Sequence, residues 1–178
     1  LRSGARPGDT VAVAGALGAA ARGLAVLFDR FRDGAGVPVA VDDSALTAEE
    51  RADVRAQLRP APPIALGPVA ARAGATAMMD VSDGLLLDAR RMAEASGVRI
   101  DLDPALDEIA LRGGEDHALL ACFAPGAALP DGFRPIGRVH AREGHGETDA
   151  SGAVTVAGAP ATGPGGWDPH RDWDAARG

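Results

Sequence analysis

Between Ala75 and Leu102 the sequence leaves little freedom of interpretation. An apolar run, Ala75 to Met79, breaks into Asp80-Val81-Ser82-Asp83-Gly84, and an amphipathic pattern starts at once with Leu85. The pattern predicts a helix from Leu85 to Ser96, with Leu85, Leu86, Ala89 and Met92 as its core face and Gly97 ending it. Val98 to Leu102 alternates and predicts the next strand. Strand, turn, helix and strand in so short a stretch commit the chain to a sheet with helices laid on it.

The flanking sequence extends the same alternation. Pro7-Gly8-Asp9 is a turn leading to a short strand, Thr10 to Val13. Gly15 and Gly18 flank the start of a helix from Ala16 to about Phe31, with Leu17, Ala20, Leu24, Leu27, Phe28 and Phe31 predicted on one face. Arg22, Arg30 and Arg32 read as solvated, and Asp33 to Ser44 as a loop. Thr47 and Glu50 fit a capping box that opens a short polar helix through Leu58, stopped by Pro60, Pro62 and Pro63. Ile64 to Ala73 predicts a second short helix, with Gly74 as its C′ residue. Asp103 to Arg112 carries no clear signal and leads into Gly113-Gly114-Glu115-Asp116 and a strand, His117 to Phe123. Phe133 to His140 and Ala153 to Ala157 are further strands, read as joined by a Gly- and charge-rich hairpin connection, and the tail from Gly163 has loop composition. The expected class is α/β (α+β), a single domain over residues 1–178 whose mixed β-sheet has helices packed mainly on one face.

Composition narrows the function. The net charge of −7 argues against a nucleic-acid partner. An acidic protein can still bind phosphorylated metabolites when divalent cations supply the missing positive charge. All 18 basic residues are arginine. That rules out a Walker A loop, a Schiff-base lysine and a lysine general base. The lone Cys122, inside an apolar run, excludes a disulfide framework and a thiolate metal cluster and reads as a buried inert thiol. No signal peptide or membrane-length apolar stretch is legible, so the expected location is cytoplasmic and no membrane partner is expected. The Ala, Gly and Arg bias suggests a GC-rich bacterial source, and a chain opening at Leu1 reads as a piece of something longer.

Four features could carry chemistry. In the Asp80/Ser82/Asp83 turn, two carboxylates stand three residues apart at a predicted helix N-terminus, where free amides and the helix dipole attract anions. They would repel a bare phosphate but admit one arriving with Mg²⁺, which takes one or two carboxylates plus phosphate oxygens. The plainer alternative is a capped helix, with Ser82 or Asp83 as N-cap and Asp80 ending the strand. Gly113-Gly114 before Glu115 permits close approach of backbone to a ligand, or is simply a loop entering a strand. Arg2 stands beside the Ser3-Gly4 turn. Trp167, in a Gly-rich loop, could stack on a flat heterocycle or tie down the tail, and Trp173 has the weaker claim. His117, His140, His145 and His170 show no metal spacing, and no Ser–His–Asp arrangement can be argued from order alone.

Taken in order, Arg2-Ser3-Gly4-Ala5-Arg6-Pro7-Gly8-Asp9, Gly15 to Ala20, Met78 to Gly84, Gly113 to Asp116 and Gly166-Trp167 resemble the C-terminal domain of the thiamine-monophosphate kinase family. That family lies in the aminoimidazole-ribonucleotide synthetase and selenophosphate synthetase superfamily, with its PurM-like C-terminal fold. The resemblance implies ATP-dependent phosphorylation of thiamine monophosphate to thiamine diphosphate, with Mg²⁺ and no phosphoenzyme. It implies Asp80 and Asp83 as Mg²⁺ ligands, Ser82 and Arg2 as ATP contacts, and Glu115 and Trp167 as contacts of thiamine monophosphate. It also implies an N-terminal domain, absent from this chain, that carries most metal-binding aspartates and much of the ATP site, and a homodimer when complete. His117 and Ala118 stand where the family usually has Tyr and Glu, and the connection from Leu102 to Gly113 is short for it. Another ATP-dependent member of the superfamily, of selenophosphate, aminoimidazole-ribonucleotide or hydrogenase-maturation type, and a stand-alone binding domain are the alternatives.

Overall fold

The computed structural model describes residues 1–142, 153–163 and 165–166. Seven strands form one sheet: β1 (Thr10–Ala14), β2 (Ala77–Val81), β3 (Val98–Leu102), β4 (Ala118–Phe123), β5 (Phe133–Ala141), β6 (Val154–Val156) and β7 (Ala159–Pro160). Five α-helices among the described residues accompany it: α1 (Ala19–Arg30), α2 (Ala48–Leu58), α3 (Leu66–Arg72), α4 (Leu85–Ser96) and α5 (Glu108–Arg112). The sheet order is β2-β4-β1-β5-β3-β6-β7, antiparallel throughout except for β3 beside β6. The mixed α/β class expected from the sequence is the one observed.

β2 and β3 run in the same direction with β4, β1 and β5 between them. The stretch from Ala75 to Leu102 is thus a crossover spanning most of the sheet. Four inter-strand steps are about 19 Å, and the 12 residues of α4 rise about 18 Å. A helix of that length delivers the chain to β3 with only Gly97, at φ 67, between them. The acidic turn is left at the end of β2, on the sheet's edge.

Side chains alternate across the central strands into two cores. Val11 and Val13, Leu120 and Cys122, and Ile100 and Leu102 meet Leu85, Leu86, Ala89 and Met92 of α4. Ala12, Ala14, Ala121, Phe123 and Phe133 face the other way, where α3 covers them through Ala70 and Leu66. β4 is buried on both faces, which is why its sequence is continuously apolar rather than alternating. Burial pushes the Cys122 thiol up to about 12, with the Asp9 carboxylate adding to the shift, and its Sγ lies 3.6 Å from Met92 Sδ. The inert thiol expected from the sequence is present.

Several expectations are corrected. α1 starts later than predicted, and its apolar positions do not share one buried face: Leu24 and Phe28 are exposed, while Phe31 packs with Leu46 and Val54 in a small core between α1 and α2. β2 begins and ends two residues later than expected, because its ladder with β4 runs to Val81 opposite Ala118. β5 and β6 are not hairpin partners, since β3 lies between them. Arg22 and Arg30 are not merely solvated: they pair with Asp53 and Glu50, and Arg32 stacks 3.8 Å from the Phe28 ring centre. The unassigned connection holds α5, capped by Asp107, whose carboxylate accepts from the Ala110 amide at 2.7 Å. The capping box at Thr47 and Glu50 is formed with both bonds, and Gly74 adopts φ 83 just past α3. Among the described residues no helix is long and apolar enough to cross a membrane.

Candidate functional site

Asp80 occupies the last inward-outward alternation of β2. Val81 and Ala77 point into the α4 core, so Asp80 emerges on the opposite face, where its side chain is 61% exposed. The His117 imidazole lies beside it, with Nδ1 3.9 Å away, and His117 Nε2 is the same distance from Glu115. Asp83 is held differently. Its Oδ2 pairs with Arg91 Nη1 at 2.6 Å and its Oδ1 accepts from the Ser82 hydroxyl at 3.1 Å. The same Arg91 nitrogen reaches Asp88 Oδ1 at 2.7 Å.

Asp88 organises the turn. It lies in the first turn of α4 with its side chain 1% exposed, and its Oδ2 accepts from the Ser82 amide at 3.0 Å and the Asp83 amide at 3.1 Å. Neither Ser82 nor Asp83 is therefore the N-cap. That position is Gly84, without a side-chain cap, and the carboxylate that satisfies the turn reaches back from within the helix. Burial raises the Asp88 pKa above the usual carboxylate value, against the opposing bonds from the Asp83 amide and Arg91. Burial also works against the Arg91 charge, yet the bonds from Asp83 and Asp88 leave its pKa raised.

Some of the amides expected to attract an anion at this helix N-terminus are already engaged. The Ser82 and Asp83 amides belong to Asp88, and the Leu87 amide donates to Gly165 O at 3.3 Å. Two amides at the start of α1 are engaged as well. Asp116, 7% exposed, accepts from the Gly18 and Ala20 amides, so the last acid of Gly113-Gly114-Glu115-Asp116 caps a helix far away in sequence.

The double-glycine loop lies against the acidic turn. Glu115 N–H donates to Ser82 O at 2.8 Å, and a Cβ on Gly114 would sit 2.6 Å from that same oxygen. Glu115 and His117 take φ 70 and 51, a left-handed conformation that non-glycine residues enter rarely and at functional loops disproportionately. From the other side, Gly165 and Gly166 pack on Leu86, Asp83 and Gly84, where any side chain would collide with backbone. A cavity of about 250 Å³ opens between this assembly and the α1–α2 pair. Ser82, Asp83, Gly114 and Glu115 form its acidic end, with Arg112 also in the lining, and Ala21, Leu24 and Gln57 its less polar wall.

Of the residues singled out from the sequence, Asp80, Ser82, Asp83 and Glu115 are brought together. Arg2 is not with them. Its carbonyl accepts from the Ser96 hydroxyl at 3.4 Å, at the opposite end of α4, and the residue is exposed. Trp167, like His145, His170 and Trp173, lies outside the described residues. Sequence reasoning missed Asp88 and Arg91, although their i, i+3 spacing on a predicted helix is a recognisable pairing signal. It also missed Gln57 and Leu24, which reach the cavity only through the packing of α2 on α1.

Residues 6–156 match the family model of the AIR synthase related protein, C-terminal domain. The chain is 42% identical over 186 residues to a thiamine-monophosphate kinase of Mycobacterium tuberculosis, covering 94% of this chain and 48% of that protein. It is 40% identical to a thiamine-monophosphate kinase of Corynebacterium glutamicum, over 76% of this chain and 42% of that one. Among solved structures, AaThiL complexed with AMPPCP and TMP superposes with a TM-score of 0.74 at 30% identity, over 93% of this chain and 52% of the other. The chain thus spans about half the length of the curated relatives it matches.

Proposed function

The chain belongs to the AIR synthase related proteins, as a C-terminal domain of that family, and from this premise we propose that it is the C-terminal part of a thiamine-monophosphate kinase. The reaction would be ATP-dependent phosphorylation of thiamine monophosphate to thiamine diphosphate, in a cytoplasmic enzyme completed by an N-terminal domain and dimeric when whole. The observation that carries this reading is the interleaving of two loops. The Ser82-Asp83 turn and the Gly114-Glu115 loop, joined by the bond from Glu115 N–H to Ser82 O, present their side chains to one cavity. The curated relatives matched along this chain are kinases of that name.

The donor set suits Mg²⁺ in part. Asp80 offers an exposed hard oxygen, whereas Asp83 would become a ligand only by loosening Arg91. Among the described residues no group of three or more His, Cys, Asp or Glu is arranged to hold a metal. That matches a cation bound by one or two carboxylates and completed by phosphate oxygens. When bound, Mg²⁺ would neutralise phosphate charge and orient the transferring group.

The remaining tasks fall to the chain's own residues. Ser82 would turn its hydroxyl from Asp83 to a nucleotide phosphate, and Glu115, fixed by its backbone bond, would border thiamine monophosphate together with Trp167. Arg2 stands as an ATP contact on the resemblance alone. The acceptor is a phosphate monoester with a second pKa of about 6, so it is mostly dianionic at neutral pH. It needs no strong general base, in keeping with a chain that has no lysine. Phosphoryl transfer depends on positioning and charge neutralisation more than on covalent help.

The test joins this chain to the N-terminal half of the Mycobacterium tuberculosis enzyme and follows thiamine diphosphate by chromatography. Product that requires thiamine monophosphate, ATP and Mg²⁺ together is expected. A chimera that folds and binds thiamine monophosphate yet forms no thiamine diphosphate overturns the assignment.

A further inference from the structure

Gln57 stands in the last turn of α2 and forms part of the cavity wall opposite Ser82, Asp83 and Glu115. Its Oε1 is shut off from solvent and takes no hydrogen bond; among the described residues no other buried side-chain oxygen is left so. Folded proteins rarely leave a buried acceptor unpaired, because the group has lost its water without gaining a donor. The neighbouring polar groups are already committed. Of the donors lining the cavity, the Ser82 hydroxyl is given to Asp83, and Arg112 donates to Glu108 and to the Thr162 carbonyl. Asp53, one turn earlier on α2, is held by Arg22, and Asp83 and Glu115 are acids that cannot donate when ionised. Ala21 and Leu24 supply apolar surface beside it. The wall thus combines a flat apolar strip with one acceptor lacking a donor, while the opposite end is built for a charged group.

A ligand that matches both ends has a phosphate that enters the Ser82–Glu115 end together with a divalent cation, beside Arg112, and an aromatic ring bearing an N–H donor for the α1–α2 wall. Resting on the kinase reading above, we infer that Gln57 is a specificity-determining residue that accepts a hydrogen bond from an amino group on the substrate's heterocycle. The terminal amide turns about its last torsion with little penalty, so its oxygen can meet a donor entering the cavity. The discrimination follows from the usual asymmetry of buried polar groups: a ligand that leaves the acceptor unpaired is rejected far more strongly than one that merely fits less well.

The inference is tested by calorimetric titration of the chain with thiamine monophosphate and with the analogue in which the ring amino group is replaced by oxygen. The unmodified chain is expected to favour the amino form by at least about tenfold, the range in which one unpaired buried group acts. Q57L should bring the two ligands within about threefold of each other, chiefly by weakening the amino form. Q57E, which keeps the acceptor, should hold or increase the preference, and it serves if Q57L does not fold. A preference unchanged in Q57L, or no preference in the unmodified chain although thiamine monophosphate binds, overturns the role of Gln57 and leaves the kinase reading standing. Failure of the unmodified chain to bind either thiamine phosphate overturns both.

Discussion

Arg91 holds two carboxylates with one nitrogen, and one of them, Asp88, is sealed from water. Removing the guanidinium leaves that acid with amide partners alone. Arg91→Met should therefore destabilise the fold by about 2–4 kcal/mol, somewhat less than for a fully buried pair because Arg91 is partly exposed. The sign of the pH dependence follows from Asp88. Its folded pKa is raised above the ordinary 3.8 by burial, so its contribution is fully stabilising below that value and declines as pH rises through the folded pKa. Without Arg91 the pKa rises further. The variant's melting temperature should fall more steeply than the parent's between pH 4 and neutrality, and parallel curves would sink the argument. Asp83→Asn makes a complementary case: in a two-domain enzyme it should cut turnover strongly and raise the Mg²⁺ requirement with little loss of fold. An unchanged Mg²⁺ dependence leaves Asp83 as a partner of Arg91 only. The acids of the site were legible from Asp80 to Asp83 because they interrupt an apolar run. Asp88 was not, because a carboxylate in a first helical turn is ordinary and its backward reach is visible only in three dimensions.

Elements were readable wherever the signal is local. The Thr47–Glu50 box, Gly74, Gly97 and the α4 stripe each specify a boundary or a face within a few residues, and each is found. α5 is too short to show a period, and the parallel pairing of β3 with β6 joins residues separated by half a hundred positions. Asp101 illustrates such a tie. Its Oδ1 accepts from the Thr155 hydroxyl and from the Gly158 amide, linking β3 to the β6–β7 end. Partial burial opposes its ionisation, yet these bonds, with His140 and Arg99 nearby, lower its pKa. A depressed carboxylate stabilises above its unfolded pKa and loses the effect as pH falls through the folded one. Asp101→Ala should thus cost about 1–2 kcal/mol at neutral pH, and the difference from the parent should shrink below pH 3.8. Chemical denaturation at pH 7 and pH 2.5 measures both arms, and an equal loss at the two values refutes the assignment to a charge-assisted tie. Asp116 acts between elements as well. Asp116→Ala uncaps α1 and should cost about 1–2 kcal/mol, read as lost amide protection at Gly18 and Ala20 rather than across the sheet.

On the scale of the molecule, charge decides what the site can do without help. The chain carries a net charge of −7, and the cavity's polar end is built from Asp83, Glu115 and the Ser82 hydroxyl, with Arg112 beside them already paired with Glu108. Asp88 takes the Ser82 and Asp83 amides just before α4, and Asp116 takes the Gly18 and Ala20 amides at the start of α1. Arg91 faces the site but is spent on neutralising Asp83 and Asp88. Bringing ATP and a second phosphate into such a field is unfavourable unless cations enter with them, and repulsion between unit charges at 4 Å is about 4 kcal/mol near a protein surface. Of the carboxylates at this turn, Asp83 is already paired with Arg91, which leaves Asp80 and Glu115 as the exposed ones. Two outcomes follow. Thiamine monophosphate should bind this chain more tightly with millimolar Mg²⁺ than after chelation, and the nucleotide should bind weakly in either case. The chain alone should form no ADP from ATP and thiamine monophosphate above the uncatalysed background, and restoring an N-terminal half should switch turnover on. If ADP appears at enzymatic rates from these residues by themselves, the acidic cavity already contains a complete phosphoryl-transfer site, and the division of labour argued from its missing cations is wrong.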